Sequence, residues 1–366
     1  MLSIIISFLV SFFICLFIIR YAHILGHRLL DPTERGPQKF HENPTPRTGG
    51  LAILGGIIAS ALVFLIQKKD FALDFLIILL CSLPAFLAGF AEDLTKKVSA
   101  RTRLLLCSIS AILIFLFANV HILRVDIPFL DDIVKLIPFS FILSTVAIVG
   151  LSNAINIIDG FNGLASGVSI IILVGLAYVA FKVNDTFILF SCIVLIATIF
   201  GFFIWNYPRG FIFLGDGGAY LLGVLIGTFS VLLVKRNEQI SAWFPMLLLI
   251  YPVWETLFSI YRKKFLKRMS PLQPDGLHFH MLVYKRIVKW AVGPKDAKYI
   301  TRRNSATSVY LWGLTFISFI PAVLFWKKTQ ILQICVFLWI FMYVLIYRKI
   351  VKFKFFNIKG NSKKNL

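Results

Sequence analysis

Apolar runs of roughly 17 to 21 residues, each long enough to cross about 30 Å of hydrocarbon as a helix, recur along the chain between polar breaks. The pattern predicts about eleven membrane-spanning helices, at 2–19, 49–66, 72–91, 104–122, 138–157, 165–181, 187–205, 217–234, 241–260, 308–326 and 330–347. The last two are parted only by Lys327, Lys328 and Thr329. Pro84, Pro138, Pro245, Pro252 and Pro321 lie in or beside spans, where neighbouring helices can satisfy the freed backbone groups. The expected fold is therefore all-α: a polytopic membrane helical bundle forming one domain over 1–347, followed by a basic tail at 348–366. Polar residues concentrate in the breaks at 21–48, 92–103, 158–164, 206–216 and 261–307.

Composition strengthens the membrane reading. Hydrophobic residues make up 58% of the 366 and charged residues 15%, against about half and a quarter in soluble domains. The five cysteines all fall within apolar runs and form no CxxC pair, so they read as small buried hydrophobes. No positive segment precedes the first apolar run, while Arg20 and Arg28 follow it. A retained first span, not a cleaved signal peptide, is expected.

The net charge of +21 would suit nucleic acid, but its distribution argues against that partner. Roughly three-quarters of the 38 lysines and arginines lie in the loops after odd-numbered spans or in the tail, which the positive-inside rule places in the cytoplasm. The N-terminus is then periplasmic and the C-terminus cytoplasmic. Anionic membrane lipid is the expected partner of the basic loops.

The same loops carry the polar motifs, whereas few charged groups lie deep within spans, Glu255 being the clearest. A transporter would place ionisable groups near the midplane. Gathering them at one face favours an enzyme at the membrane surface. A carrier of lipid-linked substrates, or a scaffold, is the rival reading.

Five constellations stand out. Lys39, His41 and Arg47 offer donors suited to phosphate oxygens, on a loop stiffened by Pro44 and Pro46. Glu92 and Asp93 close the third span, with cations just beyond. Asn153, Asn156 and Asp159 share one arc of a helix at about 100° per residue, followed by Gly160, Asn162 and Gly163. Asp216 stands among Gly215, Gly217 and Gly218 where the eighth span begins, either as a helix cap or as a magnesium ligand open to a diphosphate. His278 and His280 flank Phe279 in the long basic loop; with no further ligand at zinc spacing, they suit phosphate better. Separately, each has a plain structural alternative: a basic loop, a helix end, a cap. Gathered on one side, they are what phosphoryl-type transfer requires.

The set Pro44-Thr-Pro-Arg-x-Gly-Gly50, Glu92-Asp93, Asn153-x-x-Asn-x-x-Asp-Gly-x-Asn-Gly-Leu-Ala165, Phe213-x-Gly-Asp-x-Gly218 and His278-x-His280 resembles the polyprenyl-phosphate N-acetylhexosamine-1-phosphate transferases. The resemblance implies transfer of a sugar 1-phosphate from a UDP-N-acetylhexosamine to undecaprenyl phosphate, with release of UMP. It further implies Mg²⁺, with Mn²⁺ as the alternative, and a site on the cytoplasmic face of the bacterial inner membrane. Under it Asp93, Glu92 and Asp216 are catalytic, and Asp216 with Asn156 holds the metal. Lys39, His41, Arg47, Asn153, Asn156, Asp159, Asn162, His278 and His280 meet substrate, Asn162 at the uracil.

Four departures matter. Glu92 stands where Asp is usual, Asn162 where many bacterial members carry Asp, Ala219 where Ser is common, and the histidine motif is followed by Met281. The last feature resembles the branch that primes O-antigen, teichoic acid or capsule glycans, not the phospho-N-acetylmuramoyl-pentapeptide transferases. No motif names the sugar, and a homodimer is left open.

Overall fold

The computed structural model describes residues 1–22, 30–31, 44–266, 268, 270, 276–288 and 297–352. The long helices are α1 (Leu2–Tyr21), α2 (Gly49–Ile66), α3 (Ala72–Thr95), α4 (Ala100–Phe117), α6 (Ile137–Ile158), α7 (Leu164–Lys182), α8 (Thr186–Asn206), α9 (Gly215–Arg236), α13 (Ala297–Leu324) and α14 (Thr329–Lys352). Among the described residues these ten are long and apolar enough to span a membrane. Short helices α5 (Pro128–Val134), α10 (Trp243–Leu248), α11 (Ile250–Tyr261) and α12 (Phe279–Leu282) lie between them. The chain is an all-α polytopic membrane protein.

Most spans stand where the apolar pattern put them, with informative exceptions. The ninth is not one helix but α10 and α11, which meet at Leu249. Pro252 has no N–H to offer Leu248, and its ring excludes that carbonyl from the ladder. The fourth span starts at Ala100, not at 104, because Ser99 caps it by accepting the Thr102 N–H at 3.1 Å, and it ends at Phe117, not at 122. At the end of the chain α14 runs on through Lys352, past the expected end of the last span at 347. The pairing of Leu30–Asp31 with Thr45–Pro46 as two short antiparallel strands was not foreseen. Inside α3, Pro84 disturbs the ladder, and the next N–H, of Ala85, donates to Ser110 Oγ of α4 at 3.0 Å.

Helix α9 is the core of the bundle and is buried almost from end to end. It packs against α3, α6 and α2, while α1 and α7 pack on α8 and α13 packs on α7. Outward faces, such as Leu105, Leu116 and Phe117 on α4 or Phe337, Leu338 and Phe341 on α14, are exposed and apolar, as contact with hydrocarbon requires.

Glycines let α9 meet α3 and α2 backbone to backbone. A Cβ on Gly89 would overlap the main chain of Asp216 and Gly217, and one on Gly50 would overlap Gly218. Gly89→Ala is expected to cost about 1–3 kcal/mol of stability, the usual scale of overpacking, and to displace Asp216. Thermal unfolding in detergent checks this; unchanged melting would mean that the α3–α9 contact has slack.

At the end of the bundle away from the motifs, a second polar network closes three loops. Asp126 Oδ2 accepts from Ser241 Oγ at 2.9 Å, the Ala242 N–H at 2.7 Å and Thr329 Oγ1 at 3.2 Å. Arg124 pairs with Asp126 at 2.7 Å and donates to the carbonyls of Val234 and Asn237, at 3.4 and 3.3 Å, where α9 ends. Arg236 of α9 pairs with Asp185 at 2.8 Å.

Candidate active site

The site is assembled where α3, α6 and α8 end and α2, α7 and α9 begin. Main-chain bonds tie the segment before α2 to the segment before α9. The Phe213 N–H donates to Pro46 O at 2.8 Å, and the Gly49 and Gly50 N–H groups donate to Phe213 O and Leu214 O at 2.9 Å each. This fixes Arg47, whose guanidinium stands 3.5 Å from Asp216 Oδ1 and 3.8 Å from Asp93 Oδ1. Gly215 turns the chain into α9 with φ +76°, and a Cβ there would overlap the Arg47 carbonyl and press on Asp93. That conformation and that space both require glycine.

The two residues of the acidic pair do different work. Asp93 is 2% exposed; its Oδ1 accepts the Asp216 N–H and its Oδ2 the Gly217 N–H, each at 3.0 Å. It caps α9 from another helix, satisfying donors that a helix start leaves orphaned and placing negative charge at the positive end of the dipole. The cap is thus not Asp216 itself, whose side chain is left for other partners. Glu92 Oε2 instead accepts the Val98 N–H at 2.7 Å, closing the turn after α3 in which Lys96 takes φ 55°.

The carboxylate of Asp216 is ringed by cations and an amide. Asn156 Nδ2 donates to Oδ1 at 3.0 Å, Arg103 Nη1 pairs with Oδ2, and Arg47 completes the set. Asn153 and Asn156 are half-buried on the last turns of α6. Asp159 does not share their helix, since α6 ends at Ile158 and Asp159 takes φ −76°, ψ 59°. Burial pushes its carboxyl up to about 8; Arg47 opposes this, and Asp216 and Asp93 add to it.

Asn162 is 5% exposed and joins three segments. Its N–H donates to Asn304 Oδ1 at 2.7 Å, its Nδ2 to Pro208 O at 3.1 Å, and its carbonyl accepts from Ser308 Oγ at 2.7 Å. In this structure its amide is a strap between loops; a base contact belongs to the proposal below. The adjoining Gly163 N–H is held by Asn206 Oδ1 at 2.6 Å.

His278 and His280 stack, with ring centres 5.3 Å apart and planes 9° from parallel. His280 is 1% exposed, stands edge-on to Phe161, and would lie 3.3 Å from a Cβ on Gly160. Burial outweighs the attraction of Glu255 and holds its imidazole neutral, near 3. Its observed place is that of a packing wedge. Lys39 and His41 lie outside the described residues.

A divalent cation fits this corner. Asp216 and Asn156 present one carboxylate and one amide side by side, with Asn156 Nδ2 3.0 Å from Asp216 Oδ1. No cluster of three or more His, Cys, Asp or Glu ligands exists among the described residues. Mg²⁺ is commonly held by one or two carboxylates plus substrate phosphates; this corner offers the Asp216 carboxylate with the Asn156 amide beside it.

Glycosyl transferase family 4 matches residues 75–234, the segment that holds Asp93, Asn156, Asp159 and Asp216. The chain is 29% identical to a probable undecaprenyl-phosphate N-acetylglucosaminyl 1-phosphate transferase of Bacillus subtilis (strain 168), over 86% of this chain and 84% of that one. It is 30% identical to a phospho-N-acetylmuramoyl-pentapeptide-transferase of Staphylococcus aureus (strain bovine RF122 / ET3-1), over 71% of this chain and 85% of that one. The chain belongs to glycosyl transferase family 4. Within this family 4 transferase, the sequence reading named Arg47, Asn156 and Asp216, which converge, but did not single out three others. Arg103 was one cation among several after the third span, and its pairing with Asp216 spans 113 positions. Asn206 and Asn304 are amides at span ends, a weak signal that only the contacts to Gly163 and Asn162 make specific.

Proposed function

We propose that this family 4 transferase moves an N-acetylhexosamine 1-phosphate from a UDP-sugar to undecaprenyl phosphate, releasing UMP and priming a cell-envelope glycan. The observation that carries the proposal is the convergence on Asp216 of Asn156, Arg47 and Arg103, at the bundle end where every family motif gathers. The Bacillus subtilis relative is named for undecaprenyl phosphate and an N-acetylglucosaminyl 1-phosphate group, which supports the acceptor and the transferred group. The excess of lysine and arginine in the loops at this end supports a site on the cytoplasmic side of the bacterial inner membrane.

A phosphate oxygen of the acceptor would attack the sugar-bearing phosphorus of the donor. The new P–O bond joins lipid phosphate to sugar phosphate, and the bond from that phosphorus to the oxygen retained by UMP breaks. The acceptor phosphate is already anionic near neutral pH, where its second pKa is about 6, so no side chain has to remove a proton. Mg²⁺ held by Asp216 and Asn156 would supply charge neutralisation on the diphosphate. Arg47 and Arg103 bring guanidinium donors to the same place, suited to phosphate oxygens and to the charge that develops on the leaving group. Asp93 keeps Asp216 in register by capping α9. Asn162, beside the Pro208 turn, is the candidate neighbour of the base.

Membranes containing the protein, supplied with undecaprenyl phosphate and a panel of UDP-N-acetylhexosamines, are expected to release UMP from at least one donor and to stop when divalent ions are chelated. Nucleotide that stays intact with every donor would overturn the proposal in favour of a carrier or scaffold.

A further inference from the structure

The transfer chemistry above makes no use of Glu255, a carboxylate of α11 whose burial is costly unless donors satisfy it. Glu255 is 2% exposed and all its described partners are donors. Its Oε1 accepts His278 Nδ1 at 3.2 Å and the Phe279 N–H at 2.9 Å, while Oε2 accepts the Tyr343 hydroxyl at 2.7 Å. One oxygen thus fixes both the ring of His278 and the first N–H of α12. The hydroxyl from α14 holds the other oxygen in place.

We infer that Glu255 is a positioning residue of the transfer reaction, holding His278 in a single ring orientation with its hydrogen on Nδ1. A carboxylate can only accept, so the nitrogen facing it must donate, and the choice of tautomer passes to Nε2. Carboxylate–histidine pairs fix ring orientation in this way in metal sites and catalytic triads. The held ring is connected to the site. It stacks on His280, which lies over Gly160 next to Asp159. The preceding residue is tied down too, as Tyr347 donates to Leu277 O at 3.1 Å and Arg262 donates to the same carbonyl. The last helix, far along the chain from every motif, therefore sets the histidine motif through Tyr343 and Tyr347.

The inference rests on the reading of His278 as a group that serves phosphate transfer, and its test separates the two. Glu255→Gln keeps the volume and an acceptor for Phe279 but removes the fixed choice of tautomer. It is expected to lower kcat about thirtyfold, within the range for a lost orienting partner, with KM and melting temperature little changed. In a His278→Ala background the same change should cost nothing more, since the two act as one unit. Long-range ¹H–¹⁵N spectra of labelled protein should show Nδ1–H at His278 in the native chain and a tautomer mixture in Glu255→Gln. Tyr343→Phe, which deletes one hydroxyl, should move both readouts the same way by a smaller amount. Full activity in His278→Ala would sink the reading of His278. Impaired His278→Ala with additive loss from Glu255→Gln, or an unchanged His278 spectrum, would overturn the inference alone. If Glu255→Gln does not fold, the Tyr343→Phe spectrum decides, and an unchanged ring would overturn it.

Discussion

Asp216→Asn is expected to remove turnover by about a thousandfold or more, since each 1.36 kcal/mol is tenfold in rate and a lost metal ligand is worth several kcal/mol. The substitution keeps the size of the side chain and, through its Oδ1, an acceptor for Asn156, now 3.0 Å away. The backbone N–H of residue 216 still donates to Asp93, so the helix start is untouched and the protein should insert and fold. What disappears is the negative charge between Arg47, Arg103 and the metal position. Two measurements check this: UMP release, and stabilisation of the purified protein by added Mg²⁺. Native-level turnover, or Mg²⁺ stabilisation equal to that of the native chain, would remove Asp216 from the metal site.

Asp93→Asn is expected to cost at least about a hundredfold in kcat, the loss that a misplacement near 1 Å can produce, and to cost more than Glu92→Gln. The ranking follows from what each carboxylate holds. Asp93 spends both oxygens on α9, at the N–H of Asp216 and of Gly217. An amide keeps one acceptor and turns a donor toward the other N–H, leaving a buried group unsatisfied at about 1–3 kcal/mol. Glu92 spends one oxygen on Val98, which does not carry Asp216. Asp93→Ala should also lower thermal stability by about 1–2 kcal/mol, as loss of a cap does. Were Glu92→Gln the more damaging change, the pair would be wrongly assigned. Were Asp93→Ala as stable as the native chain, the cap would not hold α9.

The class of the fold was open to inspection because hydrocarbon thickness imposes its own period on the sequence. Spans such as 49–66 were legible to the residue, matching Gly49–Ile66. The broken ninth span was not: Pro245 and Pro252 were seen, but which carbonyl loses its partner depends on where the helix starts. The site was legible as a set of motifs and much less so as a geometry. Asp93 beside Glu92 looks like a pair of equals, and nothing in their adjacency tells that one faces α9 and the other its own turn. Asn162 looks like a ligand residue because its motif is polar. That its amide meets Pro208 depends on how α7 and α8 come together, and no local pattern records this. Arg103 was hidden for the opposite reason, as one of several cations at a span end where cations are unremarkable.

Helix α9 is held at its start by Asp93 and the glycine contacts, and at its finish by Arg124 and Asp185. A beam clamped at both ends cannot pivot. Carriers work by letting one half of the molecule rock against the other around a central site; here Asp216 could move only together with the helices that tie α9 at its two ends. Under the proposed reaction the Asp216 carboxylate would serve as an anvil, and adaptation to a different sugar could proceed around it without moving the point at which the bond is made.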